Sequence, residues 1–235
     1  MLDAQEKARI MGKYLELEAT IVNGESIGER ARKSVDESAG LSGTEDPVAP
    51  VLRTALVINW PEIAMKTRYA AFRVRYPEID SLAKLREVMR ATPPLDFCVG
   101  YLGINANPLK PDQNPKYVML RALTDEFLDY QAKHGIDSEI EALRAWAEAV
   151  DMTDLGNDPI GKIKGVGPGT VENIRLNLGY VTVKPDRHVI GVARKVLGIS
   201  VSPLEYAKVA ESLGINPRRF DMTLFAYGQL KGISS

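Results

Sequence analysis

Apolar residues along the chain recur at intervals of three and four, and this spacing constrains the fold more than any other feature. It is clearest in two neighbouring segments, at 117–133 and 140–150. Residues at these intervals share one face of an α-helix, whereas a strand requires alternation with a period of two. No stretch alternates for long enough to predict a strand. We therefore expect an all-α fold.

The predicted helices are separated by segments rich in glycine and proline. They cover 3–22, 51–60, 61–75, 81–91, 94–103, 117–133, 140–150, 158–163, 169–178 and a segment that follows Asp186. Residues 23–50 are polar and glycine-containing, so they predict a loop with at most one short helix. Residues 103–116 contain three prolines. A compact domain does not need so long a connection for closure, which favours a functional loop.

Cysteine and histidine content limits the chemistry of the chain. The single cysteine, Cys98, excludes an internal disulfide and any metal site built from several cysteines. His134 and His188 lack metal-binding spacing. No run of about 18 apolar residues predicts a membrane span, and the charged N-terminus lacks the apolar stretch of a signal peptide. We expect a metal-free protein that stays inside the cell and binds no membrane.

Positive charge is concentrated in one segment of a chain whose net charge is −1. Between Gly161 and Lys195 there are seven cations and two anions. The cations are Lys162, Lys164, Arg175, Lys184, Arg187, Arg194 and Lys195. Scattered lysines usually form a solvated surface, but cations grouped around a glycine-rich turn favour a phosphate-binding face.

The glycine-rich turn lies between the predicted helices at 158–163 and 169–178. Gly165, Gly167 and Gly169 permit positive φ and close approach of another backbone, while Pro168 sets φ for a helix start. Free N–H groups at that helix start would form an anion site, so a DNA phosphate could bind there. Taken alone, the string also fits a tight turn between helices whose glycines serve packing only.

Asp186 lies sixteen positions beyond Thr170, in the string Val-Lys-Pro-Asp-Arg-His-Val at 183–189. A helix follows it, and we expect that helix to turn Val189, Val192 and Leu197 inward. An Asp directly before a helix is also a favourable N-cap, worth about 1 kcal/mol. From position alone, a catalytic carboxylate and a helix cap remain equally open.

Together, the glycine hairpin and Asp186 resemble the helix-hairpin-helix, Gly/Pro-rich loop and Asp signature of the helix-hairpin-helix DNA glycosylases. This superfamily includes endonuclease III and the adenine-mismatch glycosylases. Weaker similarity extends to 69–85 and 101–104, which resemble strings of the barrel helices, and to 219–228, which resembles the closing helix. The resemblance spans roughly 51–230 and is specific at 161–198.

The resemblance implies two helical lobes that flank a cleft. Residues 51–180 would form a six-helix barrel lobe that includes the hairpin at about 158–178, and residues 1–50 with 181–235 would form a terminal lobe that carries Asp186. DNA would bind through its phosphate backbone, with one base flipped into the cleft. The enzyme would be a monomer in the cytoplasm, associated with the nucleoid, or in the nucleus.

Asp186 would then be the catalytic residue. Breaking an N-glycosidic bond builds positive charge on the sugar, which a fixed carboxylate stabilises, and the carboxylate can also orient or deprotonate water. The DNA-binding residues implied are Lys164, Gly165, Gly167, Gly169, Thr170, Lys184 and Arg187. His188 is expected to be a hydrogen-bonded structural histidine.

Gly169 distinguishes this chain from the bifunctional members, which carry a lysine directly before the threonine that corresponds to Thr170. We therefore predict a monofunctional hydrolase that leaves an abasic site. No cofactor is expected and no iron–sulfur cluster, because no cysteine follows Cys98. A structural monovalent cation at the hairpin is compatible with the pattern.

The base pocket is predicted from Asn59, Trp60 and Tyr101, since an amide can read a base edge and an aromatic ring can stack on a flipped base. Trp60 fits a core anchor equally well. Asn105, a less secure pocket candidate, or Leu109 could fill the gap that the flipped base leaves.

Three alternatives remain open. The chain could be a non-catalytic helix-hairpin-helix DNA-binding protein, or a bifunctional glycosylase and lyase that uses a non-standard lysine such as Lys164 or Lys184. It could also act on a deliberately modified base rather than on damage.

Overall fold

The computed structural model describes residues 2–39, 45–58 and 62–235. These residues are mostly helical, and the all-α class is confirmed. In chain order the α-helices are α1 (Ala4–Ala19), α2 (Ile27–Ala39), α3 (Val48–Leu56), α4 (Glu62–Arg75), α5 (Leu82–Ala91), α6 (Pro94–Asp96), α7 (Pro115–His134), α8 (Glu139–Ala149), α9 (Pro168–Asn177), α10 (Arg187–Val192), α11 (Tyr206–Ser212) and α12 (Pro217–Lys231). Short π-helices at Phe97–Tyr101 and Ala193–Leu197 extend α6 and α10, and 3-10 turns lie at Pro111–Gln113 and Pro203–Glu205.

The segment 23–50 differs from its prediction as a loop with at most one short helix. The first helix ends at Ala19, before the predicted end at residue 22, and β1 (Ile21–Val22) pairs with β2 (Glu25–Ser26) in a small antiparallel ribbon. Asn23 and Gly24, both with positive φ, join the two strands. The thirteen-residue α2 follows. Its start shows reciprocal bonds, in which the Ser26 amide donates to Glu29 and the Glu29 amide donates to the Ser26 hydroxyl. This capping box was readable as Ser-x-x-Glu, but the polar composition obscured it.

The predicted helix at 158–163 is also wrong, whereas the helix that follows the glycines is confirmed as α9. Residues 152–165 form consecutive turns, with one helix-like bond from the Lys162 amide to the Asp158 carbonyl. Asp158 organises these turns, because its carboxylate accepts hydrogen bonds from Trp146 Nε1 at 3.1 Å and from the Gly161 amide at 2.8 Å. Hydrogen bonds to the Asp158 side chain therefore take the place of the backbone hydrogen bonds expected of a helix.

The chain divides into two compact units. Met1–Ser42 with Gly179–Ser235 form the terminal unit, and Gly43–Leu178 form the central unit. The lobes predicted from sequence, 1–50 with 181–235 and 51–180, differ from this division at residues 43–50 and 179–180.

The terminal unit is built around α12, against which α1, α2, α10 and α11 pack. Tyr14 of α1 stacks on Phe220 of α12 with ring centroids 5.6 Å apart, and both rings are buried. Arg219 forms a two-pronged ion pair with Glu18 at 2.6 and 2.7 Å. The first helix and the last therefore share one core.

The central unit is built around α7, which packs against α3, α5 and α8. Phe127 meets the edge of the buried Trp146 of α8 with centroids 5.1 Å apart. Helix α9 packs on α3, where Asn173 donates a hydrogen bond of 3.0 Å to the buried Thr54 hydroxyl. The hairpin glycines therefore precede a helix that is anchored in this core.

Among the described residues, no helix is both long enough and apolar enough to cross a membrane.

We expect Gly161→Ala to destabilise the turns before the hairpin. A Cβ at this position would lie 2.2 Å from the Leu155 carbonyl oxygen, which is backbone and cannot rotate away. The free energy of unfolding should fall by about 1–3 kcal/mol, as for overpacking elsewhere. Gly156→Ala is the matched control, since nothing lies within 4 Å of its added Cβ. Equal urea midpoints for the two variants would contradict this account.

Candidate functional site

Asp186 is the N-cap of α10. Its Oδ1 accepts hydrogen bonds from the His188 amide at 2.8 Å and the Val189 amide at 2.9 Å. Its backbone is extended, with φ −84° and ψ 170°, as an N-cap requires. The capping role that sequence left open is therefore present.

Capping engages only one carboxylate oxygen of Asp186. No described residue donates a hydrogen bond to Oδ2, and the side chain is half-buried rather than enclosed. The two hydrogen bonds from backbone amides fix the direction of the carboxylate relative to α10. Asp186 thus combines an anchored oxygen with one that is available to a partner.

Asp221 is a second carboxylate near Asp186, and the sequence interpretation placed it only within a closing helix. It lies on α12 with 4% of its surface exposed. Its Oδ1 accepts the Lys184 amide at 3.1 Å, and its Oδ2 accepts Arg218 Nη1 at 2.7 Å. Sequence offered no signal for it beyond a polar residue in an amphipathic helix.

The environment of Asp221 favours its protonated form more than water does. Burial, with a smaller contribution from the charge of Asp186, raises the pKa of Asp221 to about 7 against the lowering effects of Arg218 and Lys184. One half-buried and one enclosed carboxylate therefore influence each other electrostatically near the start of α10.

His188 makes the structural contacts predicted for it. Its Nδ1 lies 2.8 Å from the Ile233 carbonyl oxygen, and its ring meets the edge of Phe225 with centroids 5.8 Å apart. Gly228 of α12 permits this packing, because a Cβ there would lie 3.0 Å from His188 Cβ. The histidine thus fastens α10 to the last helix.

The glycine-rich turn at 163–170 is the predicted hairpin, and of its two predicted helices only the second, α9, forms. The backbone of this turn has features that favour an anion site. Gly165 has φ +93°, a conformation that other residues rarely adopt, and the extended Gly167 is the N-cap of α9. No described residue accepts a hydrogen bond from the Gly167 or Gly169 amide. Both glycines are only partly exposed. Their N–H groups, together with the positive end of α9, could bind an anion.

The remaining hairpin residues frame this turn. Thr170 turns its hydroxyl back toward the Gly165 carbonyl at 3.4 Å. Lys164 is exposed beside it. An added Cβ at Gly169 meets no atom within 4 Å, so this position has room for a side chain.

The basic segment keeps most of its charge at the surface. Lys162, Lys164, Arg187, Arg194 and Lys195 are exposed, and Lys184 is half-buried. Arg175 is the exception, because its Nη1 pairs with the buried Glu172 at 3.1 Å. One expected surface cation therefore belongs to the packing of α9. The hairpin lies in the central unit, whereas Lys184, Asp186 and Arg187 lie together in the terminal unit.

The predicted base pocket is only partly visible. Asn59 and Trp60 lie outside the described residues. Tyr101 ends the first π-helix and stacks on Tyr76 at 4.4 Å and on Phe97 at 5.1 Å between centroids. A base stacked on Tyr101 would have to displace one of these rings.

The loop at 103–116 presents an exposed apolar tip. Leu109 is 89% exposed, and its amide donates to the Asn107 side chain at 3.0 Å. The Lys110 amide closes the turn on the Asn107 carbonyl. Asn105 is exposed, but its carbonyl accepts a bond from Asn114. Both candidates are therefore exposed, and Leu109 is the apolar one.

Lys116 is a buried lysine that the sequence interpretation did not single out. Its Nζ donates to the carbonyls of Leu56 and Ile58 at the end of α3. Burial lowers the pKa of Lys116 to about 8, so its amine is easier to deprotonate than that of a surface lysine. Its position at the start of α7, after three prolines, offered no such signal.

A cavity of about 460 Å³ lies in the central unit between α5 and α7. Arg86, Arg90 and Arg121 line it, and Asp125 pairs with the last two at 3.5 and 3.9 Å. Tyr101 is not among the described residues that form its wall. Nor do three or more histidine, cysteine or acidic side chains of the described residues meet in a metal-binding group.

Comparison of the chain with protein-family models, with curated proteins and with solved structures finds no match. The glycosylase resemblance therefore rests on the motifs of the sequence.

The two roles of Asp186 can be separated by substitution. Asp186→Ala removes both hydrogen bonds from the backbone amides, so the free energy of unfolding should fall by about 1 kcal/mol. Asp186→Asn should lose less, because asparagine caps helices about as well as aspartate. Chemical denaturation of both variants beside the wild type measures the difference. A loss of the same size in both would mean that the negative charge, rather than the capping oxygen, stabilises α10.

Proposed function

We propose that the chain is a monofunctional DNA N-glycosylase. It would flip a damaged, mismatched or modified base and hydrolyse the N-glycosidic bond, leaving an abasic site. The observation that carries the proposal is the Asp186 carboxylate, which is held at the start of α10 with one oxygen available. It follows a glycine hairpin in the order and spacing that the family resemblance requires.

The chemistry requires a fixed negative charge beside the sugar. Positive charge develops on the sugar as the base departs, so an oriented carboxylate stabilises the transition state more than the ground state. The two hydrogen bonds from backbone amides orient the Asp186 carboxylate before any substrate binds. Oδ2 would face the sugar or the attacking water.

DNA would be held mainly through its phosphates. The free amides of Gly167 and Gly169 and the exposed Lys164 support one phosphate contact, and Lys184 and Arg187 support another beside Asp186. Leu109 would fill the gap left by the flipped base. Two lobes flanking a cleft, and a monomer that acts in the nucleoid or nucleus, belong to the same proposal.

A non-catalytic DNA-binding protein is the second candidate. The observation that favours it is the N-cap itself, because the hydrogen bonds of Asp186 would stabilise the start of α10 even without chemistry. This candidate keeps the hairpin and its phosphate contacts. It assigns no reaction to the available oxygen of Asp186.

Asp186→Asn should release bases at least about 100-fold more slowly than the wild type while still binding DNA, because it keeps the cap and removes the charge. The substrates are duplex and single-stranded DNA with a panel of damaged, mismatched and modified bases. Strand breakage after alkali measures base release, and electrophoretic mobility measures binding. Asp80→Asn, an exposed carboxylate of the central unit, controls for loss of charge.

Two outcomes would count against the enzyme. A wild-type protein that binds DNA but releases no base favours the non-catalytic candidate, and an Asp186→Asn variant with wild-type rates removes Asp186 from the chemistry. The base released most rapidly identifies the substrate class, including a deliberately modified base.

Gly169→Lys should add lyase activity. The position corresponds to the lysine of the bifunctional members, and the open space around Gly169 admits the side chain. Its amine could form a Schiff base with the sugar and cleave the strand without alkali. Reduction with borohydride should trap the variant on DNA. Gly169→Met controls for size without an amine, and the wild type should require alkali.

Direct cleavage by the wild type would contradict the monofunctional assignment. The amine would then come from another lysine, and Lys164 and Lys184 would be the first to replace. Failure of Gly169→Lys to trap DNA, in a protein that still releases bases, would show that position 169 lies too far from the sugar.

A further inference from the structure

Asp221 is a buried carboxylate to which the proposed chemistry assigns no role. Enclosing a carboxylate is costly unless hydrogen bonds compensate for lost water, and here both oxygens have partners. One partner is Arg218 on the same helix, at 2.7 Å. The other is the main-chain amide of Lys184, at 3.1 Å. The second bond attaches α12 to the segment that leads into Asp186.

The chain between Lys184 and Asp186 transmits this attachment. Only Pro185 separates the two residues, and its ring fixes one backbone torsion. The Asp186 amide donates to the Lys184 carbonyl at 2.8 Å, which closes a tight turn. Asp186 is then bound to α10 through Oδ1. A shift of the Lys184 backbone therefore moves Asp186 against α10.

The charges that act on Asp221 come from both sides of its hydrogen bond to the Lys184 amide. Arg218 lies on its own helix, and Lys184 and Asp186 lie on the facing segment. Of the titratable side chains on the helices packed against α12, His188 of α10 lies against Phe225, with its Nδ1 2.8 Å from the Ile233 carbonyl oxygen. Three charged side chains on α1 and α2 also have their own partners. Glu18 of α1 pairs with Arg219, and Arg30 and Lys33 of α2 pair with Glu25.

We propose that Asp221 is a positioning residue for Asp186, which holds the Lys184 amide and adds a second negative charge behind the reacting carboxylate. The inference rests on the proposed glycosylase function. Ionised Asp221 binds the amide more strongly than the protonated acid does, because the hydrogen bond is then charge-assisted. The base-release step should therefore be faster when Asp221 is ionised.

The buried position makes this ionisation occur near neutrality. The pKa of Asp221 is raised to about 7 by burial, so both states are populated close to physiological pH. Because the folded-state value lies above the ordinary value of 3.8, the folded protein retains this proton longer than the unfolded chain. Stability from this group is then present at low pH and is lost as pH rises through about 7. The protein with Asp221 ionised, which should release bases faster, is therefore the less stable form.

The first test needs no activity. In the free wild-type protein, the amide resonances of Lys184, His188 and Val189 should shift together with a midpoint near pH 7 in an NMR titration. In Asp221→Asn this shared transition should be absent. Amides that do not titrate in the wild type would overturn the coupling, whatever the protein does to DNA.

The second test measures base release in single turnovers, with saturating duplex that carries the base released most rapidly by the wild type. The wild-type rate should rise about tenfold or more through pH 7, since small displacements of a reacting group cost rate steeply. Asp221→Asn should keep the low rate at every pH with little change in DNA affinity. Asp80→Asn is the control.

Arg218→Gln provides a second variant if Asp221→Asn does not fold. Removing the guanidinium withdraws the influence that lowers the pKa of Asp221, so the midpoint of the rate profile should move to higher pH. A residue that serves folding alone would not move this midpoint.

The outcomes separate the two proposals. If the wild type releases bases and Asp186→Asn does not, while Asp221→Asn keeps the wild-type rate and pH profile, the role of Asp221 is overturned and the glycosylase stands. A wild type that releases no base overturns the glycosylase and the catalytic role of Asp221 together. Loss of the pH transition in Asp221→Asn, with binding retained, supports the inference.

Discussion

The hydrogen bonds from the His188 and Val189 amides to Asp186 determine where α10 begins and which carboxylate oxygen is left available. The first turn of any helix has amides without partners, and an aspartate at this position satisfies two of them. The same bonds restrict the side chain to one orientation. Capping and catalysis are therefore compatible roles for Asp186, since they use different oxygens. The capped geometry supplies the preorganisation that electrostatic stabilisation requires.

The orientation of Asp186 depends in turn on α12. Asp221 of α12 and His188 of α10 attach the chain on either side of Asp186. Asp221 holds the main chain before Asp186, and His188, just after it, reaches the Ile233 carbonyl beyond the last helix. Because α12 also stacks on α1 through Phe220 and Tyr14, the site is supported by both chain termini. Polar attachments of this kind fix one geometry at the cost of enclosing a carboxylate, which an apolar contact would avoid.

Sequence predicted the helical class and the segments with a strong apolar stripe, such as α7, because burial of one face imposes its own period. It failed where polar side chains determine the structure. Asp158 converts the segment before the hairpin into turns, and the Ser26 and Glu29 capping box starts a helix that its composition concealed. At the candidate site, Asp186 was identified from its position relative to the glycines. Asp221 was not, since only tertiary packing encloses it and brings it to the Lys184 amide.

The two carboxylates illustrate why a local motif can identify a candidate reacting group but not the charges that surround it. Asp186 is recognisable because a cap and a hairpin leave marks in consecutive residues. Its electrostatic surroundings include two charged residues of α12, Arg218 and Asp221, which lie more than thirty residues away in sequence. The Arg218 guanidinium lies 2.7 Å from the Asp221 carboxylate. Because charges interact over distance, a carboxylate that acts through its negative charge is sensitive to the charges around it. Under the proposed function, substitution of charged residues on α12 should therefore alter the rate of base release through the electric field at Asp186.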